Sequence, residues 1–245
     1  MQYGRFAALY DQLMRGVDYD SWADYVAGFM PAGAQVLECA CGTGEISLRL
    51  ARKGFCVTAS DISEDMLMQA SEKQRSMGIA PSRLRFVRMD MRELKAHRKA
   101  DCVISCCDGV NYLLSREDVK RFFAAANAAL KPGGLLLFDV SSRYKLEKII
   151  GSGNFSDNGE DAPFIWLNEY DPGSKLIRME LSFFKKQGGL YERFDETHIQ
   201  RAHSVRELGA WLGETGFDFE AFRCFTREAA GPEDERIQFA ARKPQ

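Results

Sequence analysis

The stretch VLECACGTGEIS, Val36 to Ser47, runs from an apolar strand through an acidic residue into a small-residue loop and on into a helix. Val36 and Leu37 are strand formers, and Pro31 and Gly33 punctuate the chain just before them. Gly42 and Gly44 give the loop dihedral angles and a close backbone approach that a β-carbon forbids, so a ligand can lie against main-chain N–H groups. From Glu45 onward, Ile46, Leu48, Leu50 and Ala51 have helical spacing, and Gly54 stops the run. The loop therefore opens a helix whose N-terminus faces a polar small molecule.

A glycine loop between strand and helix also marks nicotinamide dinucleotide sites, which want a third glycine for tight helix packing. Ser47 stands at that position. The second strand, FCVTASD from Phe55, ends in Asp61, roughly twenty residues after the loop, where a carboxylate can accept hydrogen bonds from ribose hydroxyls. Both readings accommodate Asp61. The third strand, LRFVRMD, ends in Asp90 with Met91 next to it, and a carboxylate beside a soft apolar side chain suits an adenine amino group and ring. That pair favours an adenosyl ligand.

With these residues in place, the sequence resembles the class I S-adenosylmethionine-dependent methyltransferases, whose signature is an acidic residue followed by alternating glycines. The matching positions are Glu38, Ala40, Gly42 and Gly44, with Ala40 replacing the first glycine of the usual pattern. The segment DCVISCCDGVNYL from Asp101 continues the motif set as the strand lining the methyl-donor site. The N-terminal segment FAALYDQLMRGVDYDSWADYV is similar to that of small bacterial members with a β-strand insertion late in the domain, so the resemblance covers nearly the whole chain. It implies S-adenosyl-L-methionine as methyl donor and a doubly wound, seven-stranded, mostly parallel α/β sheet. The donor-binding residues expected are Tyr10, Trp22, Glu38, Cys39, Ala40, Gly42, Gly44, Asp61, Ile62, Met66, Asp90, Met91, Cys107 and Tyr112.

Length and charge agree with one catalytic core plus an embellishment. A chain of 245 residues, 45% hydrophobic, can bury a full α/β core but hardly two large ones. A formal net charge of -2 gives no global field to hold a polyanion, which disfavours a nucleic-acid substrate and favours a small-molecule acceptor. No segment approaches the ~20 apolar residues of a membrane helix and none reads as a signal peptide, so a cytoplasmic monomer or homodimer is expected. Seven cysteines, an odd number without a C-x-x-C pair, argue against a disulfide framework and read as small buried hydrophobes; no metal is expected.

Strands and helices alternate along the core. Helical spacing in Phe6, Leu9, Tyr10 and Leu13, and again in Trp22, Tyr25, Val26 and Phe29, predicts two helices before the first strand. Later helices are capped by Ser63, Ser115 and Ser204, while Lys131 to Gly134 reads as a turn before the strand LLLFDV. Near-continuous apolar strands alternating with helices mean a parallel sheet covered on both faces, with ligands at the strand carboxyl ends. After Ser142 the rhythm changes. A helix around Tyr144 to Ile150 and a polar, glycine-rich stretch (Gly151 to Gly159) precede three β-like runs separated by Pro172-Gly173 and Gly188-Gly189. Residues 143–203 thus read as an antiparallel insertion capping the substrate side of a core made of 1–142 and 204–245. Phe164, Trp166, Tyr191 and Phe194 are its candidate pocket aromatics.

A sulfonium carbon is already electrophilic, so alignment should outweigh base catalysis. Positioning can supply ~7 to 11 kcal/mol of such a barrier, against about 3 to 5 kcal/mol from a general base. An aromatic over the sulfonium is a further aid, with Tyr3, Tyr10 and Trp22 as candidates and Tyr10 preferred. The catalytic residues expected are Tyr10, with helix packing as its alternative, Asn111 as a substrate-orienting amide or else a helix-start cap, and His198 as a base or else a structural histidine. Asp108 reads as a group that serves the donor or takes a proton, with a helix-start cap as the alternative. His97, in the basic run MRELKAHRK, reads as part of a solvated face. Two rivals remain open on these residues: a nicotinamide-dependent oxidoreductase, and a non-catalytic S-adenosylmethionine-binding module.

Overall fold

The computed structural model describes residues 10, 11, 14, 16–96, 98–151, 153–159 and 163–245, with the backbone alone at 187. Tyr10 and Asp11 are helical, whereas Tyr3, Phe6, Leu9, Leu13 and His97 lie outside the described residues.

Alternation along β1 (Gln35–Cys39) decides which helices cover which face. Leu37 and Cys39 bury against Phe122 and Phe123 of α4 (Arg116–Ala129) and Leu208 and Leu212 of α5 (Val205–Glu214). Val36 points the other way, into a second cluster with Trp22 and Val26 of α1 (Tyr19–Ala27) and Ile46 and Leu50 of α2 (Glu45–Arg52). The remaining core helix, α3 (Glu64–Ser76), is capped by Ser63, whose hydroxyl accepts from the Met66 N–H. Ser115 caps α4 in the same way, and Ser204 with Glu207 forms a capping box on α5.

The other strands are β2 (Cys56–Asp61), β3 (Leu84–Arg88), β4 (Ala100–Ser105), β5 (Leu130–Ser141), β6 (Asn154–Asp157), β7 (Phe164–Asp171), β8 (Leu176–Gln187), β9 (Leu190–Arg201), β10 (Asp218–Arg223) and β11 (Arg236–Arg242). Seven of the eleven form one sheet in the order β10-β11-β5-β4-β1-β2-β3. Strands β1 to β5 pair in parallel, and β11 alone runs antiparallel to its neighbours β5 and β10. This is the doubly wound sheet expected from the sequence. Its order reverses between β1 and β4, which opens a crevice at their carboxyl ends.

The second sheet is antiparallel, in the order β6-β7-β8-β9. Three strands were expected there; the fourth, β6, lies inside the glycine-rich stretch, where Phe155 pairs with Trp166 and their rings pack 5.3 Å apart. The expected helix at 144–150 is a short π-helical turn, Lys145–Ile149. Two further boundaries differ from the sequence reading. Strand β3 stops at Arg88, and Asp90 instead caps the 3₁₀ turn Met91–Glu93 by accepting from the Arg92 N–H. Strand β5 begins at Leu130, because the stretch read as a turn is a register shift, between the Ala100–Leu130 and Cys102–Leu135 pairs.

Gly44 adopts a left-handed φ of +79° at the start of α2, and a β-carbon there would sit 2.7 Å from the Phe86 ring and 3.1 Å from the Ala70 methyl. Gly44→Ala therefore combines backbone strain with overpacking and should lower stability by about 2 to 4 kcal/mol, read from urea unfolding. An unchanged unfolding midpoint would contradict this packing.

Candidate functional site

The loop leaving β1 turns left-handed at alternate residues, with φ of 53° at Ala40, 53° at Gly42 and 79° at Gly44. Two strand-end carboxylates hold it. Asp61, at the end of β2, accepts from the Gly42 N–H at 2.8 Å and from the Ser63 N–H at 2.9 Å. Glu38 on β1 lies on the α2 side of the sheet and accepts a short hydrogen bond from the Ser47 hydroxyl. Burial, with Asp61 nearby, pushes the Glu38 carboxyl up to about 7, and burial also raises Asp61. Ser47, which counted only as a missing glycine in the sequence, is thus the partner of the signature acid.

A cavity of about 1290 Å³ opens above this loop and extends to the inner face of the four-stranded sheet. Eleven of the fourteen expected donor-site residues line it: Tyr10, Trp22, Ala40, Gly42, Asp61, Ile62, Met66, Asp90, Met91, Cys107 and Tyr112. Glu38, Cys39 and Gly44 do not. Glu38 is 2% exposed behind the loop, Cys39 points into the core with Leu37, and Gly44 is covered by Phe86. The Asp90 carboxylate is engaged by the Arg92 side chain, with a closest approach of 2.6 Å, which holds it below the usual carboxylate range. Tyr10 sits beside the loop: a β-carbon on Gly42 would lie 3.9 Å from its ring. Its helical neighbour Asp11 accepts from the Thr43 hydroxyl at 2.5 Å and from Lys73 at 2.7 Å.

Asn111, expected to orient substrate, is a structural clamp. It is fully buried, its amide donates to the carbonyls of Ser141 (3.0 Å) and Arg201 (2.9 Å), and its oxygen accepts from the Ser141 N–H at 3.0 Å. It thereby ties the end of β5 to the end of β9 and presents nothing to the cavity. His198 does line the cavity. Its Nδ1 lies 3.1 Å from the Tyr112 hydroxyl, and burial lowers its pKa while Asp108 opposes the shift. His203 is a packing residue, with Nε2 at 3.1 Å from the Leu113 carbonyl and a pKa lowered to about 4 by burial. Of the insertion aromatics, Phe164 and Trp166 reach the cavity, Phe194 stacks on Phe183 and Tyr191 is half exposed.

Sequence reasoning missed a charged network at the same wall. Asp139, fully buried on β5, is raised by burial but held by a short ion pair to Arg236 on β11. Arg236 also donates to Asp108 at 2.8 Å, and Gln200 on β9 donates to the other Asp108 oxygen at 2.8 Å. Asp108 itself is left-handed, with φ 56°, and its N–H donates to Asp139 at 3.0 Å. It occupies the N-cap position of the 3₁₀ turn Gly109–Tyr112, but its side chain makes no cap hydrogen bond and is engaged by Arg236 and Gln200 instead. Arg236 and Asp139 are 97 residues apart, so no local pattern could have paired them. Among the described residues, no cluster of three or more His, Cys, Asp or Glu is placed to hold a metal, and no helix is long and apolar enough to cross a membrane.

The donor implied by the resemblance fits these residues. The left-handed loop puts Ala40 and the side-chain-free Gly42 on the cavity wall, and Asp61 at the end of β2 lines the same cavity with Asp90 and Met91 just after β3.

Comparison with known proteins agrees with that geometry. A family model described as a methyltransferase domain matches residues 36–134. YqeM of Bacillus subtilis (strain 168), whose methyltransferase name is provisional, is 39% identical over 245 residues, spanning 99% of this chain and 98% of that protein. The crystal structure of an S-adenosylmethionine-dependent methyltransferase from Clostridium acetobutylicum ATCC 824 is 31% identical, with a TM-score of 0.89 and 99% of each chain covered. An S-adenosylmethionine-bound amino pentose methyltransferase from Micromonospora echinaspora shares the fold at 19% identity, with a TM-score of 0.75 over 99% of this chain and 98% of that one.

Burial of Glu38 predicts a pH signature. Its proton is held more tightly in the folded chain, so between its ordinary value of 4.5 and about 7 the folded state binds more protons than the unfolded one. Stability contributed by this group is then lost as pH rises through that window, at up to about 1.4 kcal/mol per pH unit. Glu38→Gln should flatten the profile between pH 4.5 and 7, measured as the difference in unfolding free energy from the parent protein; a parallel profile would contradict the assignment.

Proposed function

This chain belongs to the class I S-adenosylmethionine-dependent methyltransferases, and we propose that it methylates a small-molecule acceptor held between the glycine loop and the inner face of the four-stranded sheet. The observation that carries this reading is that one cavity runs without a break from Ala40 and Gly42 to Phe164 and His198. At about 1290 Å³ it exceeds the ~300 to 1,000 Å³ of a site for one drug-sized ligand, leaving room for donor and acceptor together. The segment 143–203 is then the substrate-side cap of a core formed by 1–142 and 204–245. A cytoplasmic location suits this role.

When bound, the donor would supply an electrophilic methyl to the acceptor lone pair, with the carbon–sulfur pair going to sulfur, S-adenosylhomocysteine leaving and the acceptor giving up a proton. The chain's own residues position and deprotonate. Asp61 fixes the loop through the Gly42 N–H and, with Asp90 and Met91 on the same cavity wall, would hold the donor's ribose and adenine. Glu38 acts through Ser47, bracing the loop from behind. Tyr10 and Trp22 supply aromatic wall near the sulfonium, and burial keeps the Tyr10 hydroxyl protonated. His198 is neutral at pH 7 because burial lowers its pKa, so it can accept the acceptor's proton. Nδ1–H donation to the Tyr112 oxygen would place the basic lone pair on Nε2.

Incubation with methyl-labelled S-adenosylmethionine and pooled metabolites should release S-adenosylhomocysteine and add one methylene equivalent to an acceptor. Donor binding without turnover across such pools would instead favour a non-catalytic module. Asp61→Asn should weaken S-adenosylmethionine binding about 10- to 100-fold by calorimetry, through loss of charge-assisted hydrogen bonds; unchanged affinity would remove Asp61 from the donor site. His198→Ala should lower kcat about 100-fold or more with donor affinity unaltered. A His198 variant with normal turnover would leave positioning as the sole catalytic device.

A further inference from the structure

The cap's inner face differs in chemistry from the donor side of the cavity. Strands β7 and β8 turn Phe164, Trp166, Met179, Leu181 and Phe183 toward it at every second residue, and their register sets Phe164 opposite Phe183 and Trp166 opposite Leu181. None of these five side chains offers a hydrogen-bond acceptor of ordinary strength. Polar groups begin only on β9, where His198 pairs in register with Met179 and, with Gln200, meets Tyr112 and Asp108. Lys145 adds one cation at the margin, in a long 3.9 Å pair with Glu235. The other cavity cations, Arg92 and Arg236, are already bound to carboxylates.

The geometry points to an acceptor with an apolar, ring-sized body lying on the β7–β8 wall and a single amine or hydroxyl nucleophile presented at the Tyr112–His198 edge. This rests on the methyl-transfer reading above. A polyhydroxylated acceptor would have to surrender water from hydroxyls for which the wall holds no acceptor and a single donor, the buried Trp166 indole N–H, and unmade buried hydrogen bonds count heavily against binding. An apolar body loses nothing there and removes its own surface from water. Specificity would then come from ring shape against five apolar side chains, with Tyr112 and His198 fixing which atom meets the methyl.

The test uses the full chain saturated with S-adenosylhomocysteine, and 2-naphthol and glucosamine as probes followed by saturation-transfer NMR. Saturating calorimetry with S-adenosylhomocysteine comes first, so failure of the donor reading shows itself as no heat before either probe is added. The wall predicts binding of 2-naphthol and none of glucosamine, and Leu181→Asn should weaken the naphthol roughly 10-fold or more while leaving S-adenosylhomocysteine affinity unchanged. Phe164→Ser replaces that variant if its thermal unfolding shows that it does not fold. Preference for glucosamine, binding of neither probe, or naphthol affinity unaffected by the wall variant would each overturn the assignment.

Discussion

Two carboxylates at neighbouring strand ends hold the turn on which the site depends. A chain that must go left-handed at Ala40, Gly42 and Gly44 within five residues does not stay there unaided. Asp61 secures it from the side by taking the Gly42 N–H, and Glu38 secures it from beneath through Ser47 at the first turn of α2. Both groups are buried, and both have their pKa raised by that burial, so the loop is braced by acids that would be unfavourable without their hydrogen bonds. Ala40 accepts a left-handed conformation that glycine would take more easily, and its methyl occupies the space facing Gly109, where an added β-carbon would approach to 3.1 Å.

The second constraint joins the two sheets. Asn111 spends its whole amide on the ends of β5 and β9, and Arg236 gathers Asp139 and Asp108 while Gln200 reaches Asp108 from β9. Breaking a buried pair such as Asp139–Arg236 leaves an uncompensated charge, typically worth about 3 to 5 kcal/mol. The four-stranded sheet is therefore fastened to the seven-stranded one through groups that lie beside the cavity, where His198 and Tyr112 also meet. Geometry between the loop and the cap is set by the same bonds that stabilise the fold.

Much of this was legible in the sequence, for local reasons. The passage from Val36 to Ser47 carries strand, loop and helix signals in one run, and Asp61 stands at a strand end, with Asp90 and Met91 in the turn just after another, on the side where a parallel sheet presents its ligands. Serine caps at 63, 115 and 204 also read directly. What failed to show is tertiary. Asn111 looked like a ligand group because its position after β4 is visible, whereas its partners lie 30 and 90 residues away. Arg236 and Asp139 sit in strands whose apolar pattern conceals them, and β6 hides in a glycine-rich run because its pairing comes from β7 rather than from its own residues.

In the proposed arrangement the donor sulfur lies between the glycine loop and the His198–Tyr112 pair, in one cavity. The most direct test of this arrangement is a crystal structure of the protein with S-adenosylhomocysteine. The account predicts adenine beside Asp90 and Met91, ribose hydroxyls at Asp61, and the thioether sulfur facing His198 across open space. Density for the ligand outside this cavity, or with its sulfur turned away from the cap, would contradict it.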